Sequence, residues 1–312
     1  MKRDLLSIRD LSADEIVALI SRAETMKREL AEGNLRQSLR NKVVALIFVK
    51  PSTRTRVSFE AAIYRLGGHS IFMSARDTQI SRQEPLADTA RVLARYVDAI
   101  VIRTFAQEDV TELARYASIP VINGLTDRTH PCQVLGDLLT IKEKRGTLEG
   151  LHVAWIGDGN NVAHSWINAA ARLGFTVSLA CPSQYLPDRE ILDWADTQGK
   201  GKVIMAASPK EAVASADAIY TDVWASMGQE EEADARRSIF RPFQVNEELL
   251  SAAPAHAIVL HCLPAHRGEE ITNAVMEGPH SAIFDQAENR LHIQMALLDW
   301  LLSDNAPTQG SK

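Results

Sequence analysis

Residues 43–49 read Val-Val-Ala-Leu-Ile-Phe-Val, a continuous apolar and largely β-branched run without the alternation of a half-solvated strand. Such a run suits a strand buried on both faces, and sheets covered on both faces are the parallel sheets of α/β proteins. The period then changes. Residues 57–66 place apolar side chains at 59, 62, 63 and 66 and stop at Gly67-Gly68, the pattern of an amphipathic helix with a glycine end. The alternation returns along the chain, with strands expected at 70–73, 99–103, 120–122, 151–156, 176–181, 202–206, 218–223 and 257–262 and helical patterns between them. Strands alternating with helices fold as parallel sheets wound on both faces. At 312 residues there is length for two such domains. The polar stretch 145–151, with Gly146 and Gly150, is the expected divide.

Composition excludes several classes. No apolar run approaches the ~18 residues that span a membrane, and Met1-Lys2-Arg3-Asp4 leads into an amphipathic helix rather than an apolar leader core. Cys132, Cys181 and Cys262 are odd in number and form no Cys-x-x-Cys pair, which points to reduced thiols in a cytoplasm and to no structural metal. A net charge of −6 makes nucleic acid an improbable partner, so a local cluster of arginines carries more information than it would in a basic chain.

That cluster is Lys50-Pro51-Ser52-Thr53-Arg54-Thr55-Arg56, at the junction of the first strand's carboxyl end and the next helix's amino end. Unpaired N–H groups and the positive end of the helix dipole favour an anion there. Two arginines and three hydroxyls added to such a place suit a phosphate. The plainer reading is an N-cap at Ser52 or Thr53 followed by surface arginines. Arg103 ends a buried strand and so faces the crevice where α/β sheets bind ligands, or else simply reaches water. Thr129-His130-Pro131-Cys132-Gln133 opens a helix with proline in its first turn, and His130 and Gln133 project from its amino end as donors for a carbonyl and an amide.

In the second half, Gly157-Asp158-Gly159-Asn160-Asn161 follows a strand and opens a helix, as in dinucleotide folds. The third glycine of that fingerprint is Val162, and the next strand ends in Cys181-Pro182-Ser183 without an acid for a ribose, so the fold is shared and NAD is not expected. Asp222, with Ser226 four residues on, fits recognition of an amino acid, offering an acceptor for ammonium and a donor for carboxylate. His261-Cys262-Leu263-Pro264 ends another strand. Residues past 304 read as a frayed tail.

These motifs, in this order, resemble the aspartate and ornithine carbamoyltransferase family over nearly the whole chain. Ser-Thr-Arg-Thr and His-Pro-x-Gln are similar to its carbamoyl-phosphate site. Gly-Asp-Gly-Asn-Asn, Asp-x-x-x-Ser-Met-Gly and His-Cys-Leu-Pro are similar to its ornithine branch, whereas the aspartate branch carries His-Pro-Leu-Pro-Arg and a lysine in the early polar loop, here 76–84 and lysine-free. The resemblance implies two doubly wound α/β domains with mainly parallel sheets flanked by helices. These are a carbamoyl-phosphate domain at 1–146, with a C-terminal helix at 287–303 returning to it, and an ornithine domain at 147–286. It implies carbamoyl phosphate held by Ser52, Thr53, Arg54, Thr55, Gln79 (reaching into a neighbouring subunit), Arg103, His130, Pro131, Cys132, Gln133, Cys262, Leu263 and Arg290. Arg54, Thr55, Arg103, His130 and Cys262 act in catalysis, and Asn161, Asp222, Ser226 and Met227 hold ornithine. It further implies a cis Leu263–Pro264 bond, a homotrimer, no metal and no cofactor.

The expected reaction is attack of ornithine's side-chain amine on carbamoyl phosphate to give citrulline and phosphate, in arginine biosynthesis. Alternatives are a carbamoyltransferase for putrescine or an N-acyl-ornithine, a non-catalytic metabolite-binding paralogue, and Cys262 as a covalent nucleophile.

Overall fold

The first helix, α1 (Ala13–Ala31), starts on a reciprocal capping box: the Ser12 hydroxyl accepts from the Glu15 N–H at 3.2 Å and the Glu15 carboxylate from the Ser12 N–H at 2.9 Å. The computed structural model describes residues 2–74, 84–225 and 233–303, and the chain divides into two compact units, Met1–Leu135 with Arg290–Lys312, and Gly136–Asn289.

The first unit continues with β1 (Val43–Phe48), α2 (Thr53–Arg65), β2 (His69–Ser74), α3 (Leu86–Leu93), β3 (Ala99–Arg103), α4 (Gln107–Tyr116), β4 (Val121–Leu125) and the opening of α5 (Pro131–Arg145). Its sheet runs in the order β2-β1-β3-β4 with every pairing parallel. The chain goes outward from β1 to β2 and then crosses to β3, so the strand order reverses between β1 and β3. There Phe48 pairs with Arg103, which places the loop after β1 beside the end of β3. Ala45, Ile47, Ile100, Ile102, Val110, Leu113 and Val121 pack one buried core beneath this edge. The strand expected at 120–122 runs on through Asn123 and Gly124 to Leu125. The Leu5 segment pairs with it, Asn123 N–H donating to the Leu5 carbonyl at 2.7 Å and Leu5 N–H to Val121 at 2.9 Å.

The second unit holds β5 (His152–Ile156), α6 (Asn161–Leu173), β6 (Thr176–Ala180), α7 (Arg189–Gln198), β7 (Lys202–Met205), α8 (Pro209–Val213), β8 (Ala218–Thr221), α9 (Ala233–Phe240), α10 (Glu247–Ser251), β9 (Ile258–His261), α11 (Asn273–Met276) and the first residues of α12 (Ile283–Leu302). Its sheet is also fully parallel, in the order β7-β6-β5-β8-β9, and reverses between β5 and β8. Ile156 pairs with Thr221 at that reversal, so the loops after β5 and β8 start side by side.

The boundary between the two units falls at Leu135, inside α5. Contacts explain it. Asp137 accepts from the Gln286 amide at 2.7 Å, Thr140 and Glu143 accept from the Asn289 amide at 3.0 and 2.7 Å, and Lys144 pairs with Asp285, so the later turns of α5 belong with the start of α12. From Arg290 onward α12 belongs to the first unit, where Arg22 donates to Asp299 at 3.1 Å and the Arg3 guanidinium lies 4.2 Å from the Trp300 ring centroid. Among the described residues no helix is long and apolar enough to cross a membrane.

Candidate active site

In the first unit, Ser52 is the N-cap of α2, its hydroxyl accepting from the Thr55 N–H at 3.3 Å. The cap expected at Ser52 or Thr53 is thus Ser52. The two arginines part ways because they lie two residues apart on a helix. Arg56 is exposed, pairs with Glu60 at 3.0 Å and lies 3.5 Å from the Phe72 ring centroid, a surface role. Arg54 is half-buried and its charge acts on His130. Lys50, 4% exposed, pairs with Asp127 and sits 4.1 Å from the Phe105 centroid, which anchors the start of the loop. Pro51 and Thr53 are exposed.

Thr55 is fully buried, and its hydroxyl oxygen accepts from Arg290 Nη2 at 2.6 Å across 235 residues of sequence. Arg103, Arg290, His130, Cys132 and Gln133 are buried too. His130 is delivered by the turn before α5, which closes through the Thr126 N–H to the Thr129 carbonyl at 2.9 Å; the Gln107 side-chain Oε1 accepts from the Thr126 and Thr129 hydroxyls at 2.6 and 3.1 Å. Burial, followed by the charges of Arg290, Arg103 and Arg54, holds the His130 imidazole well below its ordinary range. Three guanidiniums from α2, β3 and α12 thus bear on one uncharged ring. Pro131 takes the first position of α5. The Cys132 thiol donates to the Asn123 carbonyl at 3.4 Å, and burial pushes its pKa up to about 12, so it packs rather than reacts.

In the second unit, the Asn160 side-chain oxygen caps α6, accepting from Val162 and Ala163 N–H at 2.9 and 3.2 Å, while its amide donates to Asp222 Oδ2 at 2.7 Å. Asp222 Oδ1 accepts from Cys262 Sγ at 2.9 Å and from the Val223 N–H at 2.8 Å. Asn161 is the first residue of α6, half-buried beside this cluster's cap. Arg236 ties the loops together, donating to Asp158 and to the Trp224 carbonyl, each at 2.9 Å, with its guanidinium 4.4 Å from the Tyr185 centroid. Gly159 is required by the chain itself, since a Cβ there would lie 2.3 Å from Pro187 N. Leu263 has φ +58°, its N–H donates to His261 Nδ1 at 2.8 Å, and the Leu263–Pro264 peptide is cis.

Asp222, His261 and Cys262 bring donor atoms within 4.8 Å of one another, a set able to hold a metal, and hydrogen bonds already engage all three side chains. Gln79, Ser226 and Met227 lie outside the described residues. Asn160 and Arg236 were not singled out from sequence. Asn160 had a local signal, since it opens the helix after a Gly-x-Gly; Arg236 had none.

The chain matches two family models, "Aspartate/ornithine carbamoyltransferase, carbamoyl-P binding domain" over residues 3–143 and "Aspartate/ornithine carbamoyltransferase, Asp/Orn binding domain" over 149–301. It is 56% identical over 302 residues to an ornithine carbamoyltransferase of Desulfotalea psychrophila, covering 97% of this chain and 100% of the relative. The structure of ornithine carbamoyltransferase from Pyrococcus furiosus superposes with a TM-score of 0.92 at 50% identity, covering 100% of this chain and 98% of that one. An anabolic ornithine carbamoyltransferase from Campylobacter jejuni gives 0.92 at 43% identity, covering 98% and 100%.

Proposed function

The chain belongs to the aspartate/ornithine carbamoyltransferase family, and from that premise we infer that it transfers the carbamoyl group of carbamoyl phosphate to the side-chain amine of L-ornithine, giving L-citrulline and phosphate. The observation that carries the first half of this reading is a buried His130 on which the charges of Arg290, Arg103 and Arg54 act, with Arg290 also donating to Thr55. Carbamoyl phosphate brings a dianionic phosphate and an electrophilic carbonyl. The arginines and the N–H groups at the start of α2 neutralise the phosphate, with Ser52 and Thr53 shaping the loop. Thr55, Arg103 and His130 donate to the carbonyl oxygen as it becomes an oxyanion, and Gln133 fixes the amide end. An uncharged imidazole suits this role, because a fourth positive charge beside three guanidiniums would be repelled.

The amine attacks the carbonyl carbon, a tetrahedral intermediate forms, and the C–O bond to phosphate breaks. The departing phosphate takes the amine's proton. Taking ornithine's amine as lysine-like, with pKa ~10.4, only about one molecule in 2,500 is neutral at pH 7, a penalty of roughly 4.6 kcal/mol. Asp222 and Cys262 orient that amine, Cys262 as a hydrogen-bonding thiol and not as a covalent nucleophile, with Leu263 joining the carbamoyl contacts. Asn161, Ser226 and Met227 hold the amino-acid end. No metal or cofactor enters these steps. The working assembly is a cytoplasmic homotrimer in which Gln79 reaches the neighbouring subunit's carbamoyl phosphate, and the arginine-biosynthetic direction follows the anabolic relative.

Assaying carbamoyl transfer to L-ornithine, L-aspartate, putrescine and an N-acyl-ornithine side by side tests the reading. Ornithine is expected to be preferred by orders of magnitude, and preference for any of the others overturns it.

A further inference from the structure

Glu270 lies outside every motif above, yet it is fully buried. Its Oε1 accepts from His261 Nε2 at 3.0 Å and from the His266 N–H at 2.6 Å. A carboxylate taken this far from water is costly unless its contacts are well made, so both the residue and its placement need a reason. Its backbone is pinned, since the Glu270 carbonyl accepts from the Val245 N–H at 2.8 Å and the Thr272 N–H returns to the Val245 carbonyl at 3.1 Å.

The partner ring is fixed in turn. His261 Nδ1 accepts the Leu263 N–H, so the ring hydrogen sits on Nε2 and points at Glu270. The His261 backbone N–H donates to Gln286 Oε1 at 2.9 Å, and the Gln286 amide is itself spent on Asp137 at 2.7 Å and Tyr220 at 2.9 Å. What the ring holds is a strained residue. A leucine at φ +58° is held in the left-handed region, which a side chain with a Cβ resists, and it persists only where its surroundings impose it. Cys262 lies between the two held residues, with Sγ 2.9 Å from Asp222.

We propose that Glu270 is the positioning residue of the Cys262–Leu263 turn: through the His261 ring it keeps Leu263 in the left-handed conformation and Cys262 Sγ on Asp222, and so sets where the amine is received. The part concerning the amine rests on the function proposed above; the part concerning the turn does not.

The test uses the full chain with Cys181→Ser, so that iodoacetamide reports on Cys262, Cys132 being buried with its pKa near 12. Glu270→Gln keeps the Oε1 acceptor, and Oε2, which takes no hydrogen bond among the described residues, is the atom that becomes the amide nitrogen. Glu270→Ala removes the acceptor. Glu270→Asp withdraws it by one methylene and stands in should the alanine variant not fold. Alanine and aspartate variants are expected to raise Cys262 alkylation about tenfold and to lower kcat about 10²-fold, with KM for carbamoyl phosphate little changed. The glutamine variant stays close to the parent in all three. Alanine and aspartate variants that match the parent in alkylation and kcat overturn the proposal, as does a glutamine variant that falls as far as alanine. A parent forming no citrulline sinks the assigned reaction alone, and the alkylation contrast still decides the positioning role.

Discussion

Replacing Asp222 with asparagine removes one charge and leaves shape intact, which makes its cost calculable from the contacts. Asp222 is 8% exposed and accepts three hydrogen bonds, from Asn160, Cys262 and Val223. An asparagine must put an NH2 where one oxygen was. Placed at Oδ2, it meets the Asn160 amide donor, and Asn160 cannot turn over to accept without giving up the cap of α6, worth ~1 kcal/mol. Placed at Oδ1, it meets the Cys262 thiol and the Val223 N–H together. Either way a buried donor goes unmatched, at about 1–3 kcal/mol of stability. Losing a charged acceptor for ornithine's amine costs a further ~1.5–3 kcal/mol in binding, which is roughly a 10- to 150-fold rise in KM for ornithine. KM for carbamoyl phosphate should stay within a few-fold. Urea unfolding and steady-state kinetics read the two costs separately. A folded Asp222→Asn enzyme with unchanged KM for ornithine would refute the reasoning.

His130 gives a pH signature in stability. Its folded-state pKa is held well below the ordinary value, so below about pH 6.5 the unfolded chain takes up a proton that the folded chain refuses, and stability falls as pH drops. Urea unfolding at pH 7.5 and 5.5 should therefore show a smaller loss for His130→Gln than for the parent, and an equal loss contradicts it. Gly159→Ala forces a Cβ within 2.5 Å of the Leu186–Pro187 backbone, which has to move; overpacking of this kind costs about 1–3 kcal/mol. Gly159 itself leads directly into Asn160 and Asn161, so KM for ornithine should rise with the lost stability, whereas a variant as stable as the parent would show that the Leu186–Pro187 segment yields freely.

The parallel sheets were legible because their central strands are buried on both faces and leave unbroken apolar runs, while the edge strands β2 and β7 are partly exposed. Polar residues that interrupt such runs at strand ends, such as Arg103 and the 52–55 loop, stand out for the same reason. What sequence hides is contact across distance. Arg290 meets Thr55 across 235 residues, and its own helix reads simply as amphipathic. Arg236 and Arg237 are adjacent, one buried against Asp158 and Tyr185 and the other at the surface with Asp234 and Glu269, and no local pattern says which is which. The partners of α5 are hidden likewise: composition marks a loop at 145–151, and nothing local says that Asp137 and Thr140 find their partners on α12.

The account rests on guanidinium groups gripping a phosphate leaving group, and Arg54→Met addresses that most directly, because methionine keeps much of the side chain's bulk without its charge or donors. Measured on a mutant shown by thermal unfolding to be folded, kcat/KM for carbamoyl phosphate should fall by about 10²–10³. Turnover at the parent's rate would contradict it.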